Sequence, residues 1–256
     1  MSIDVSRRAA VATVTLQRPE KRNALTLSML RDMCSVLESI AEDDAIRVVV
    51  LDGAGQSFCV GADVTEFIGH DANSARRVWI AVGHRVTAAL AAMPQPTVAR
   101  IHGHAIGGGL ELALACDFRV ATLDAVLGLP EVGIGTLPGW GGTARLAAAV
   151  GPVRAKEMVL LSQTVSGSDA QLAGLVTSAA SAADLDAAVD TIVERLASQP
   201  AVAVQLAKKV MSAATAASYQ LETFESLAGA LSVSTEDLHE GVAAFRDKRT
   251  PHFKGR

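Results

Sequence analysis

Hydrophobic and polar positions alternate along this chain with two periods. Short runs rich in β-branched and apolar residues, VATVTLQ at 11–17, RVVVLDG at 47–53, PTVARIHG at 96–103, DFRVAT at 117–122 and a weaker LVTSAA at 175–180, read as strands. Between the early runs, residues 26–42 and 74–93 carry apolar side chains at helical spacing, and Pro94 with Pro96 stops the second helix. Further helical stretches follow at 152–161, 183–198, 201–217 and 221–231. Strands crowd the first two-thirds of the chain and the tail is helical, so the pattern predicts an α/β fold with a helical appendage. Such an appendage serves either as an interface element or as a further layer on the same core.

A chain of 256 residues, 50% hydrophobic and 20% charged, can bury a full core. A net charge of −4 with a pI near 5.9 gives no general attraction for nucleic acid or an anionic membrane, so a polyanionic ligand must be held by local cations. Cys34, Cys59 and Cys116 form no CxxC pattern and lie in apolar contexts, as expected of reduced thiols in a cytoplasmic protein. The first twelve residues hold no apolar leader core, and no apolar run reaches the roughly 18 residues of a membrane span, so neither a membrane nor a nucleic acid is expected as partner. His102 and His104 would share one face of a strand, but no third and fourth ligand lies nearby, and no metal is expected. His70, His84, His239 and His252 read as surface residues. No GxSxG elbow, GxGxxG or GxxxxGK[ST] loop occurs.

Acid–base chemistry is written most clearly in IHGHAIGGGLELALACD at 101–117 and LGLPEVGIG at 127–135. Gly107, Gly108 and Gly109 open an apolar helix whose first turn has unpaired N–H groups, a setting that favours negative charge. Three successive glycines point to something approaching the backbone closely, whether a ligand or a packed element. Glu111 follows on the same turn, and Glu131 stands among Pro130 and a run of loop glycines. Two carboxylates in apolar surroundings are costly to ionise, so their presence points to acid–base use. On one continuous helix they would lie ~30 Å apart, so their cooperation requires separate segments folded together. SFCVGADVTEF at 57–67 adds Ala62, a small residue whose N–H can meet a ligand oxygen, before Asp63 and Glu66 at capping-box spacing. Trp140, inside the cluster GIGTLPGWGG, serves equally as pocket wall or core filler.

Together with LQRPEKRNAL at 16–25 and the tail STEDLHEGVAAFRDKRTPHFKGR at 234–256, these segments resemble the enoyl-CoA hydratase (crotonase) superfamily over nearly the whole chain. The resemblance implies a crotonase-like spiral of β-β-α units, with residues 1–195 forming a core that holds the CoA and active site. It implies that residues 196–256 form a helical oligomerisation region building homotrimers or hexamers. By position it implies an oxyanion hole from the N–H groups of Ala62 and Gly108, catalytic carboxylates at Glu111 and Glu131, and a water-holding N–H at Gly139. Glu111 would be the base and Glu131 the acid, with burial and mutual repulsion driving their pKa values apart. An acyl-CoA thioester would contact Lys21, Arg22, Ala24, Gly61, Asp63, Phe245 and Lys248, with Trp79, Val82 and Trp140 around the acyl group. Gln56 and Thr65 stand where relatives often carry CoA-binding lysines, a departure from the family pattern. The expected reaction is hydration of a 2-enoyl-CoA without metal or redox cofactor. The rival readings are an isomerase or another crotonase-type reaction that uses only one of the glutamates, and a silent acyl-CoA-binding subunit.

Overall fold

Strand β3 (Val48–Gly53) shows how the chain divides its interior. Val49 and Leu51 face the main core, whereas Val48 and Val50 face a second apolar cluster on the other side of the sheet. The alternation is hidden in the sequence because both faces are covered. The computed structural model describes residues 2–214, 226, 227 and 229–252. Helix α1 (Leu27–Ala41) covers the first face with Met29, Leu30, Met33, Leu37 and Ile40, and Thr26 caps its start by accepting from the Met29 N–H at 3.2 Å.

Strands β1 (Ile3–Arg8), β2 (Val11–Leu16), β3, β4 (Thr97–Ile101), β6 (Phe118–Thr122) and β9 (Ser178–Ala180) form one sheet in that order. All its pairings are parallel except the antiparallel β1–β2 edge. A second sheet holds β5 (His104–Ile106), β7 (Val126–Gly128) and β8 (Thr164–Ser166), and a bridge from Cys59 to Ala105 extends it. Successive units therefore place one strand in each sheet and then a helix: β4, β5 and α5 (Gly108–Ala115), then β6, β7 and, after a loop, α6 (Gly142–Leu160). This is the β-β-α spiral.

The run at 96–103 is two strands rather than one. Gly103, at φ 62°, turns the chain between sheets, and a Cβ there would lie 2.1 Å from the Gln56 carbonyl oxygen. His102 and His104 thus do not share a strand: His102 Nε2 donates to the Gly55 carbonyl at 3.1 Å, and His104 Nδ1 lies 3.2 Å from Ser57 Oγ. Among the described residues no three His, Cys, Asp or Glu side chains gather where a metal could be held. Strand β1 has no counterpart in the hydrophobic pattern because only Ile3 of its six residues is buried.

The helix expected at 74–93 begins at α3 (Ala72–Ser74), widens into a π-helical stretch at Ala75–Ile80 and continues as α4 (Ala81–Ala92). The stretch 152–161 belongs to α6, which kinks at Gly151 (φ 77°, ψ 163°) just before Pro152. Two short helices, α2 (Val64–Phe67) and α7 (Gly167–Leu172), lie in the connections. Helix α8 (Leu185–Ser198) closes the second cluster with Leu185, Val189 and Val193. In the tail α9 (Ala201–Ala214) and α10 (Glu236–Asp247) are described, whereas most of the helix expected at 221–231 lies outside the described residues. Among the described residues no helix is long and apolar enough to cross a membrane.

Candidate active site

Parallel pairing of β5 with β7 brings the two glutamates together. Ile106 is in register with Gly128, and the Gly107 N–H donates to the Gly128 carbonyl at 2.9 Å. Both chains therefore leave the small sheet at the same edge: one enters α5 and Glu111, the other passes Pro130 into a 3-10 turn that starts at Glu131. A Cβ on Gly107 would lie 3.1 Å from Glu131 Oε1, so glycine is what lets that carboxyl approach the helix start.

Glu111 is buried, at 2% exposure, and its Oε1 accepts from the backbone N–H groups of Trp140 (2.7 Å) and Gly142 (2.8 Å). That clamp is itself held from behind. The Trp140 carbonyl accepts from Thr87 Oγ1 on α4 at 2.8 Å and from an Arg145 Nη on α6 at 2.9 Å. Sequence reasoning missed Thr87, Arg145 and Gly142; only the glycine run hinted at a backbone used as donor. His84, read as a surface residue, is buried on α4, where desolvation first and Arg145 second push its imidazole down to about 4. It is therefore neutral near pH 7, and the charge behind the clamp is the guanidinium's. Burial pushes the Cys59 thiol up to about 12 and its Sγ donates to the Asn23 carbonyl at 3.1 Å, so it is no nucleophile.

A cavity of about 160 Å³ opens beside these groups and is lined by Ala62, Gly108, Glu111, Glu131, Gly139 and Trp140, among others. Ala62 sits between two bonds that fasten its strand to Leu25: Leu25 N–H to the Gly61 carbonyl at 2.7 Å, and Asp63 N–H to the Leu25 carbonyl at 2.8 Å. Gly61, at φ 92°, abuts the start of α5; a Cβ there would lie 2.9 Å from the Gly108 nitrogen. Gly61, Trp79 and Phe245 line the same cavity. Phe245 comes from α10 of this chain, which packs on the Glu131 turn: a Cβ on Gly241 would lie 2.5 Å from the Ile134 carbonyl oxygen. The site thus draws on residues either side of position 196.

Other expected contacts lie elsewhere. Val82 is buried in the main core and does not line the cavity, because the π-helical stretch turns Trp79 and Ile80 toward it instead. Lys21, Arg22 and Lys248 are exposed outside it, and Ala24 is half-buried nearby in sequence, its carbonyl held by Arg18 at 2.9 Å. Asp63 caps α2 and pairs with Arg18 at 2.8 Å; despite its partial burial, that partner holds its carboxyl below the usual range. The capping-box reading of Glu66 needs correction. Its carboxylate accepts from Leu27 N–H at 3.2 Å and so caps α1, while the Asp63 N–H is taken by Leu25.

The sequence profile of a family described as "Enoyl-CoA hydratase/isomerase" matches residues 6–256. The 2,3-dehydroadipyl-CoA hydratase of Escherichia coli is 38% identical over 259 residues, with 98% of each chain covered. The short-chain-enoyl-CoA hydratase of Clostridium acetobutylicum is 34% identical over 250 residues, 97% of this chain and 95% of that one. Among solved structures, an enoyl-CoA hydratase from Mycobacterium avium subsp. paratuberculosis matches with a TM-score of 0.90 at 34% identity, over 99% of both chains.

Proposed function

The chain belongs to the enoyl-CoA hydratase/isomerase (crotonase) family, and from that membership we infer that it is an enoyl-CoA hydratase, adding water across C2=C3 of a 2-trans-enoyl-CoA with Glu111 and Glu131 as its acid–base pair. The observation that carries this reading is the convergence of both carboxylates and of Ala62 and Gly108 on one cavity. Two amide donors on Glu111 Oε1 suit an ionised carboxylate, the form a base needs. Glu111 takes a proton from water as its oxygen bonds to C3. The C2=C3 pair then moves toward C1, and the thioester oxygen gathers negative charge that the N–H groups of Ala62 and Gly108 receive. Glu131 gives its proton to C2, the thioester re-forms, and the proton held by Glu111 returns through the open cavity to Glu131. Water is the only atom source, and this route uses no metal or redox group. Gly139, beside the clamp, offers its N–H to the water.

The CoA moiety would leave by the mouth marked by Phe245, with Lys21, Arg22 and Lys248 available to its phosphates as exposed surface cations rather than as a built site. With crotonyl-CoA the conjugated-band absorbance is expected to fall on addition of the enzyme. A 3-enoyl-CoA should be converted more slowly than that. Faster conversion of the 3-enoyl isomer would favour an isomerase, and binding without turnover a silent subunit.

The same reading extends to a homotrimer or a pair of trimers. Val202, Leu206, Val210 and Met211 on α9 are exposed at helical spacing, an apolar stripe that a second copy would cover. Light scattering should give roughly three or six times the 26.5 kDa chain mass, and a monomer at micromolar concentration would end this extension. The free cysteines Cys34, Cys59 and Cys116 support a reducing, cytoplasmic setting.

A further inference from the structure

We propose that this enzyme is restricted to short, uncharged acyl chains of about four to six carbons, and that Trp79 and Trp140 set the limit. The inference rests on the hydratase reading and adds to it the class of acyl group. The cavity has a mouth and a blind end: Phe245 is 67% exposed, whereas Trp79 and Trp140 are 2% and 3% exposed. An acyl chain held with its carbonyl at Ala62 and Gly108 and its tail away from solvent therefore runs toward the tryptophans.

That end is a fixed wall. The two indoles lie 6.4 Å apart, and Trp79 is further packed against Phe67 at 6.0 Å and His70 at 5.7 Å between ring centroids. Trp140 is wedged between two glycines: a Cβ on Gly83 would lie 2.0 Å from its Nε1, and one on Gly108 would lie 2.2 Å from its Cζ3. Its backbone is tied to Glu111, Thr87 and Arg145 as well, so the position that carries the indole is fixed, and the two glycines hold the ring from either side. The π-helical stretch delivers Trp79 and Ile80 to the wall together.

Size follows from volume. An apolar cavity of about 150 Å³ accepts one benzene ring, so the 160 Å³ here matches a chain of roughly six carbons. Charge follows from the lining. Among the described residues the only ionisable side chains on the cavity are Glu111, whose carboxylate repels a second carboxylate at the end of an acyl chain, and the proton-bearing Glu131, and neither offers a cation.

The test is a series of 2-trans-enoyl-CoA substrates from C4 to C12, with 2,3-dehydroadipyl-CoA as the charged probe. The expected kcat/KM is highest at C4 or C6, lower by roughly tenfold or more at C8 and beyond, and equally low for the dicarboxylic thioester. Trp79→Ala should raise the ratio of C10 to C4 turnover by at least about tenfold, and Trp79→Leu, which keeps a large apolar side chain, should raise it less. Wild-type turnover of C10 or of the dicarboxylic thioester at the C4 rate would overturn the proposal while leaving the hydratase reading intact. Absence of hydration at every chain length would instead sink the hydratase reading.

Discussion

Glu111→Gln is expected to lower kcat for crotonyl-CoA hydration by roughly 10³-fold, within the range removed with a general base, while leaving the fold intact. The amide is nearly isosteric with the carboxylate. Its oxygen can still accept from the Trp140 and Gly142 N–H groups that bind Oε1 at 2.7 and 2.8 Å. With its NH2 placed there instead, donor would face donor, so the clamp itself selects the orientation that keeps the hydrogen bonds. What is lost is basicity alone. Glu131→Gln should fall comparably, because an amide has no proton to give C2. Thr87→Val is the graded companion: it removes one of two donors on the Trp140 carbonyl, worth about 1 kcal/mol, and should reduce kcat several-fold with little change in KM. Stopped-flow rates and melting curves on the three variants decide the matter. A well-folded Glu111→Gln enzyme retaining a tenth of wild-type activity would remove Glu111 from the base role.

Much of this site was legible in the sequence because its parts are local motifs. Gly107 to Glu111 is one helix turn, and the Ala62 segment ends at a capping Asp63. That Glu111 and Glu131 share a cavity could not follow from spacing. It depends on the register of β5 with β7, two three-residue strands too short for alternation to declare them. Thr87 was invisible for a similar reason: it is one of three polar residues on a half-buried helix, and its purpose is set by a carbonyl 53 positions away. Val82 and Trp79 differ by three positions on what reads as one regular helix. The π-helical stretch changes which of them turns toward the cavity, and nothing in apolar periodicity signals that extra residue per turn. His84 misled because a histidine among Gly83, Arg85 and Thr87 resembles a wet helix face, while the burying partner, the 140–145 segment, is remote in sequence.

Gly108→Ala carries the other large expected effect, since one methyl group there strikes two functions at once. The backbone at Gly108 lies outside the left-handed region, so alanine meets no torsional penalty and the whole cost is steric. Its Cβ would sit 2.2 Å from Trp140 Cζ3 and 2.8 Å from Cε3, far inside contact distance. Trp140 cannot retreat toward α4, where Gly83 already lies against its Nε1. Either α5 shifts, moving the Gly108 N–H off the place proposed for the thioester oxygen, or Trp140 shifts, taking its N–H off Glu111. Overpacking of this kind costs about 1–3 kcal/mol, so the melting temperature should fall by roughly 3–10 °C. Losing one oxyanion donor alone removes a factor of about 10² to 10³ in kcat, and disturbance of the clamp adds to it. Gly139→Ala separates geometry from mere glycine content. A Cβ there would find its nearest neighbours at 3.9 Å and the N–H would remain, so its losses in both stability and rate should be much smaller. Equal losses for the two alanine variants would mean that the wedge of Trp140 between Gly83 and Gly108 does not hold the catalytic backbone in place.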